Sequence, residues 1–363
     1  MHSARVALTK AQRIVIKVGS RSLAGDGDLV AGIARQIAAL TSERRAFVVV
    51  TSGAIALGVS RLGYRKRPKE MPRLQAAAAA GQGVLMQRYS VAFGAEGLVA
   101  AQVLLTHADL ADRERVNNAR QALAALIDAG AVPVINENDT VSTEEIRFGD
   151  NDQLASMVAP LVSADLLMLL TDVEGVLDDA GQRIAVMSEG AKIGTVTSAS
   201  GPGTGGMTSK LDAATKASRA GASVVIAPAM RENVITDVVM GKDVGTLILP
   251  HPSTLRARQH WIMYTLRPRG DVLLDEGAAR ALAVGKSSLL PIGVLGVRGD
   301  FHAGDAVRLV TPAGAEVGRG LARMSSIDVA RAARKKGDEL DAVLGREGRD
   351  QVVVHKDDLV VIS

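Results

Sequence analysis

The chain has 363 residues, 47% hydrophobic and 23% charged, enough to bury two cores at roughly 150 residues per domain. Its 43 basic and 39 acidic residues leave a formal charge of +4, too small a surplus to imply nucleic acid, and aromatics at 2% exclude a base-stacking platform or a membrane-interface belt. With 0 cysteines, disulfide frameworks, thiolate metal sites and a cysteine nucleophile are excluded, which fits a reducing cytoplasm.

At the N-terminus Arg5, Lys10 and Arg13 are separated by few apolar residues, and no signal-peptide core follows them. The first β-branched run, 14–18, reads as a strand that closes on Lys17-Val18-Gly19-Ser20. A lysine there lets a phosphate approach glycine backbone while its ammonium neutralises the charge; a surface lysine at a turn fits the same residues. After helical spacing over 29–42, the run 47–51 ends in Thr51-Ser52-Gly53-Ala54. Small residues opening a helix can seat an anion or carboxylate, or merely cap it. A second helical stretch, 73–93, contains the alanine run 76–80, which reads as a close-packed helix.

Strands are expected at 99–105 and 132–136, with a helix over 116–129. Beyond the second lie Asn136-Glu137-Asn138-Asp139 and Gly149-Asp150-Asn151-Asp152, the latter opening a helix over 152–161. Such paired amides and carboxylates can recognise an α-ammonium and an α-carboxylate, although Asn, Asp and Gly also build plain turns. A calcium loop fits poorly, because its ligand spacing and terminal glutamate are missing. The longest apolar stretch, 158–170, is broken by Asp165 and is too short for a bilayer of about 30 Å, so a soluble cytoplasmic protein is expected.

The strand 166–171 ends in Thr171-Asp172, which could face a nucleotide or cap a turn. Next comes Gly201-Pro202-Gly203-Thr204-Gly205-Gly206-Met207-Thr208-Ser209-Lys210, opening a helix over 211–220 before a strand at 223–227. Glycines, hydroxyls and a lysine before a helix form a phosphate cradle. No Walker loop, Ser-His-Asp constellation or metal-spaced histidine pattern occurs. Two lysines and glycine loops at strand ends suggest phosphoryl transfer, which needs in-line positioning and charge neutralisation more than covalent help. A carboxylate acceptor is already ionised at neutral pH and needs no general base.

Alternating apolar strands and helices predict an α/β fold with a mostly parallel open sheet sandwiched by helices. Composition changes near 267–271, where Arg-Pro-Arg-Gly reads as a linker. Short runs at 294–297, 306–310, 317–322 and 352–354 between glycine turns then predict a small β-rich domain.

The motifs from Lys17, Val50, Ile135 and Phe148, and Gly203 through Lys210, resemble in sequence and order those of the glutamate 5-kinases of the amino-acid kinase superfamily. The tail, with Val272 to Ala278, Gly285 to Gly293 and Phe301 to Asp305, resembles a PUA domain. Departures are slight: Gly19-Ser20 stands where Gly-Thr is usual, and Thr208-Ser209 where Ser-Thr is common. The resemblance implies a kinase domain over 1–266 and a PUA domain over 271–363. It implies ATP-dependent phosphorylation of the L-glutamate side chain, the first step of proline synthesis, with feedback inhibition by L-proline and a homo-oligomeric assembly. Lys17 and Lys210 would stabilise the moving phosphoryl group, oriented by Asp152; Ser52, Asp139 and Asn151 would hold glutamate. Lys17, Thr171, Asp172, Thr204, Gly205, Gly206, Met207, Thr208, Ser209 and Lys210 would bind ATP, with Mg2+ carried mainly by phosphate oxygens and no metal site of the protein's own.

Two alternatives remain open from sequence. Another kinase of the superfamily would act on aspartate, N-acetylglutamate, carbamate or a nucleotide, and the two Asn/Asp clusters argue against it. An RNA-binding regulator would use Arg331, Arg334, Lys335 and Lys336 in the tail, but these lack interleaved aromatics, so RNA binding is not the expected main role.

Overall fold

The computed structural model describes residues 3–23, 29–41, 43–142, 151–187, 206–284, 287–344 and 352–362. The chain divides into two compact units, Met1–Thr254 and Leu255–Ser363. Among the described residues no helix is long and apolar enough to cross a membrane.

The first unit is built on an eight-stranded sheet. Its strands are β1 (Arg13–Val18), β2 (Ala46–Val50), β3 (Ala100–Leu105), β4 (Val132–Glu137), β5 (Leu166–Thr171), β6 (Val186–Met187), β7 (Ser223–Pro228) and β8 (Thr246–Ile248), in the order β3-β4-β2-β1-β5-β7-β8-β6. The six strands from β3 to β7 run parallel, and only β8 with its neighbour β6 reverses. The mostly parallel, helix-covered sheet expected from the sequence is therefore present.

Burial on both faces explains why these strands are apolar throughout instead of alternating with polar residues. Successive side chains point to opposite faces. In β1, Ile14, Ile16 and Val18 join one core with Ile33 and Ile37 of the helix Leu29–Thr41 and with Tyr89 and Phe93 of the helix Met71–Ala95. Val15 joins the opposite core, built with Leu123 of the helix Arg113–Asp128, Leu154 and Val158 of the helix Asn151–Leu161, and Ala213 and Ala217 of the helix Met207–Arg219. Lys17 shares the parity of Val15, so it emerges on the face carrying these last two helices.

The alanine run belongs to a close helix pair, as the sequence suggests. A Cβ on Gly58 of the helix Ala54–Arg61 would lie 1.6 Å from Ala77 O, and one on Gly81 would lie 1.8 Å from Ala54 O. Only glycine lets these two backbones approach so closely. The contact presses the long helix against the turn that follows β2.

A buried arginine ties the N-terminus to this unit. Arg5, 0% exposed, donates from Nη1 to Val244 O at 2.9 Å and Lys242 O at 3.1 Å, and from Nη2 to Ala185 O at 2.8 Å and Gly245 O at 2.9 Å. Nη2 also pairs with Asp243 at 3.2 Å. Sequence alone presents Arg5 as one terminal charge among several. Arg5→Met leaves several carbonyls without their donor, and should cost on the order of 3–5 kcal/mol. In a unit of this size that corresponds to roughly 10 °C in Tm, measurable by thermal denaturation.

The second unit holds a five-stranded sheet in the order β10-β9-β11-β12-β13, with β9 (Gly270–Leu274), β10 (Val294–Gly299), β11 (Ala306–Val310), β12 (Glu316–Ala322) and β13 (Val354–Val361). Its core gathers Val272, Leu274, Val294, Phe301, Val307 and Leu309. The segments Ala257–His260 and Trp261–Thr265 pack within this unit: Ile262 and Met263 cluster with Val360, Arg258 Nε donates to Asp358 at 2.7 Å, and Arg319 donates to Met263 O at 2.8 Å.

Candidate active site

Because β1, β2, β4, β5 and β7 are parallel, their carboxyl ends share one edge, the place where open α/β sheets bind ligands. Lys17 stands in register with Val50 of β2 on one side and Leu169 of β5 on the other. The helices Asn151–Leu161 and Met207–Arg219 begin at the same edge. Asp152 lies in the first turn of one, and Lys210 closes the first turn of the other.

These three side chains meet. Lys17 Nζ lies 2.6 Å from Asp152 Oδ1, and Lys210 Nζ lies 3.0 Å from Asp152 Oδ2. All three are buried, with exposures of 7% for Lys17, 0% for Asp152 and 8% for Lys210. Burial works to raise the Asp152 carboxyl, but the charges and hydrogen bonds of Lys17 and Lys210 outweigh it and hold the group below the usual carboxylate range. Asp152 is therefore ionised at neutral pH and holds two ammonium groups at a fixed separation. Two buried cations sharing one carboxylate make a seat for anionic oxygens.

The two helices are joined beyond the ion pair. Gln153 donates to Asp212 at 2.8 Å, Lys216 donates to Gln153 at 2.6 Å, and Lys216 pairs with Asp212 at 2.8 Å. These contacts set the spacing between Asp152 and Lys210. Gly206 caps the second helix in an extended conformation with no side-chain cap bond. Gly206, Met207, Thr208 and Ser209 thus present a helix start, with its positive dipole end, at the strand edge.

On the other side, Ser52 donates to Val18 O at 3.1 Å, tying the turn after β2 to the end of β1. Gly53, in that turn, has φ 103°, a left-handed conformation that favours glycine. Asn151 donates from Nδ2 to Asn136 Oδ1 at 2.8 Å and to Thr51 O. Asn136 in turn donates to Gln82 Oε1 at 2.8 Å, and the buried Tyr89 hydroxyl bonds Thr51 Oγ1 at 2.9 Å.

The structure thus brings Lys17, Asp152 and Lys210 together and places Asn151 beside them, with Ser52 anchored to the end of β1. Asp139 lies half-buried in the turn after β4. Thr171 ends β5 and donates to the exposed Asp172 at 3.1 Å. Thr204 and Gly205 lie outside the described residues, as do Phe148, Gly149 and Asp150. Gln82 and Tyr89 escape the sequence reading: both belong to a helix read for its alanines alone, although the polar Gln82 stands between Gly81 and Gly83 just beyond the alanine run.

Residues 12–228 match the amino acid kinase family and residues 270–344 match the PUA domain, so the chain is a member of the amino acid kinase family. It is 45% identical to the glutamate 5-kinase of Trichlorobacter lovleyi, covering 98% of each chain. It is 46% identical to that of Thermus thermophilus, covering 97% of each, and 42% identical to that of Moorella thermoacetica, covering 99% of this chain and 98% of the other. At such identity over nearly full length, the chain belongs to the glutamate 5-kinases.

Proposed function

We propose that the protein transfers the γ-phosphoryl group of MgATP to the side-chain carboxylate of L-glutamate, giving γ-glutamyl phosphate and ADP, the first step of proline synthesis. The observation that carries this reading is the convergence of Lys17 and Lys210 on Asp152 at the carboxyl edge of the sheet. A carboxylate oxygen attacks the γ-phosphorus as the bond to the ADP oxygen breaks. The two ammonium groups neutralise the oxygens between donor and acceptor, and Asp152 orients both. Ser52, Asp139 and Asn151 hold glutamate. Lys17, Thr171, Asp172 and the segment Thr204 to Lys210 hold ATP. Magnesium would be carried mainly on the nucleotide's phosphate oxygens.

The test is ATP turnover with and without L-glutamate, trapping the acyl phosphate with hydroxylamine. Glutamate-dependent ADP release with formation of the hydroxamate is expected. Turnover that is indifferent to glutamate, or that prefers aspartate or N-acetylglutamate, would overturn the reading.

L-Proline, which shares the α-carboxylate and α-nitrogen, should inhibit by occupying part of the glutamate site. Initial rates across a matrix of proline and glutamate should show inhibition relieved at saturating glutamate. An inhibition that glutamate leaves untouched would place proline elsewhere.

Every residue assigned to chemistry precedes Leu211, so the first domain should act alone. A chain ending at Thr254 keeps the segments that pack in the second unit from being left behind as exposed apolar surface. It should fold by circular dichroism and retain glutamate-dependent turnover. A well-folded but inactive fragment would assign the tail a part in catalysis.

A further inference from the structure

We infer that the cationic tip of a helical hairpin beyond the sheet steers anionic nucleotide to the active site, setting how fast MgATP arrives and not how fast it turns over. The inference rests on the proposed use of MgATP. The hairpin joins the helices Ala54–Arg61 and Met71–Ala95 through residues 62–70. The second helix has 25 residues, about 37 Å, against ~20 Å for the six-residue strands it covers. Its later part, through Leu85, Tyr89 and Phe93, packs on the sheet. Gln82 bonds Asn136 near the end of β4, so the carboxyl edge lies level with Gln82. The stretch from Gly81 back to Met71 therefore rises about 15 Å beyond that edge. In this stretch Gln75 donates to Ser142 O at 3.2 Å, which sets the hairpin beside the turn that carries Asp139.

Residues 61–73 carry six cations, Arg61, Arg65, Lys66, Arg67, Lys69 and Arg73, all exposed, and one acid, Glu70. That is a local charge of +5 where the whole chain carries +4, so the rest of the molecule is net −1. The positive surplus thus sits on one tip, on the ligand side of the sheet. Packing holds the tip in place. Ile55, Leu74, Ala77 and Ala78 form a small core of its own, with Val59, Tyr64 and Met71 against it. Tyr64 N donates to Val59 O at 2.9 Å, and Leu74 N to Glu70 O at 3.1 Å. Crowded like charges oppose folding, and this apolar core makes no use of them. At 0.15 M salt their field decays over about 8 Å, roughly half the height of the tip above the edge. The tip therefore acts on an anion crossing the mouth of the site, not on one already seated at Lys17 and Lys210. Fixed charge of one sign beside a site raises association rates by roughly 10- to 10³-fold, falling steeply with ionic strength. A long polyanion would run from the tip onto a net negative remainder, so the charge suits a small one.

The experiment follows association of the fluorescent mant derivative of MgATP by stopped flow, across a salt series, in the full-length wild type and two variants. One variant combines Arg65→Gln, Lys66→Gln and Lys69→Gln; the other combines Arg65→Lys, Lys66→Arg and Lys69→Arg. The glutamine variant should associate on the order of 10-fold more slowly at about 10 mM ionic strength, where the Debye length is ~30 Å. At about 1 M, where that length is ~3 Å, it should come within ~2-fold of the wild type. The charge-conserving variant should follow the wild type throughout, and kcat should stay within ~2-fold in all three proteins. Equal association rates at low salt would overturn the inference. So would a deficit that persists at high salt, or one that the charge-conserving variant shares, since either marks altered structure and not lost charge. Wild-type turnover indifferent to glutamate would instead overturn the proposed acceptor, and the association series would still decide the role of the tip.

Discussion

Replacing either Lys17 or Lys210 by methionine should lower kcat with L-glutamate and MgATP by at least ~10²-fold, the scale of losing one preorganised charge donor. Methionine keeps the apolar stem of each buried lysine and removes only the ammonium. In either variant Asp152 keeps one ion pair, since the two lysines bind different oxygens of its carboxylate. The fold should therefore survive, and near-native thermal denaturation would confirm that the loss is chemical. The loss should fall on kcat more than on KM for glutamate, because the charge being neutralised develops during transfer. Arginine should not restore the rate. Its planar fork cannot place a single charge 2.6 Å or 3.0 Å from the carboxylate while also leading into the site. Turnover near that of the wild type in either variant would remove that lysine from the mechanism.

Asp152→Asn should lower kcat by ~10²-fold or more by a different route. The carboxamide fills the same space, but two buried ammonium groups then lose the charge that holds them at one point. Asp152 orients and does not abstract a proton, since the acceptor carboxylate has none to give at neutral pH. The pH profile of the variant should keep its shape between pH 6 and 9, a window that begins about two units above the ordinary carboxylate pKa. Recovery of rate at high pH would instead assign Asp152 a base role. The native ion pair also has its own pH dependence. The Asp152 carboxyl is held below its ordinary value by its two lysines against the effect of burial. Its stabilisation is therefore fully present above the unfolded value near about 4, and is lost only as the pH falls below that range through the depressed value. Acid denaturation of the wild type should accordingly include a component that is absent in Asp152→Asn.

Much of the fold was legible because a parallel sheet buried on both faces must be written as apolar runs. The strands around Ile14, Phe47, Val132, Leu166 and Ser223 needed no tertiary information to be recognised. The second unit was harder to read. The interior strand Gly270–Leu274 overlaps the Arg-Pro-Arg-Gly segment that reads as a linker. The strand Val354–Val361 runs through His355, Lys356, Asp357 and Asp358, where only residues 352–354 suggest one. It lies at the edge of its sheet, where β12 is the one named strand it pairs with and Val354 alone bridges Leu289, and an edge strand can carry polar residues that an interior one cannot.

The site divides along similar lines. The sequence by itself determined that Lys17, the Asn151-Asp152 pair and Lys210 each stand where a strand ends or a helix begins, since glycine and small polar residues mark those junctions locally. It also determined the family to which those motifs belong. Only the tertiary structure decided that two lysines 193 positions apart close on opposite oxygens of one carboxylate. The face on which Lys17 emerges follows from strand parity, but what waits on that face depends on how the chain crosses over the sheet. The amide polarity at Asn151 was likewise beyond the sequence, because an asparagine can donate or accept equally well. The choice is made by the backbone carbonyl of Thr51, 100 positions away, which Asn151 meets only when the sheet has formed.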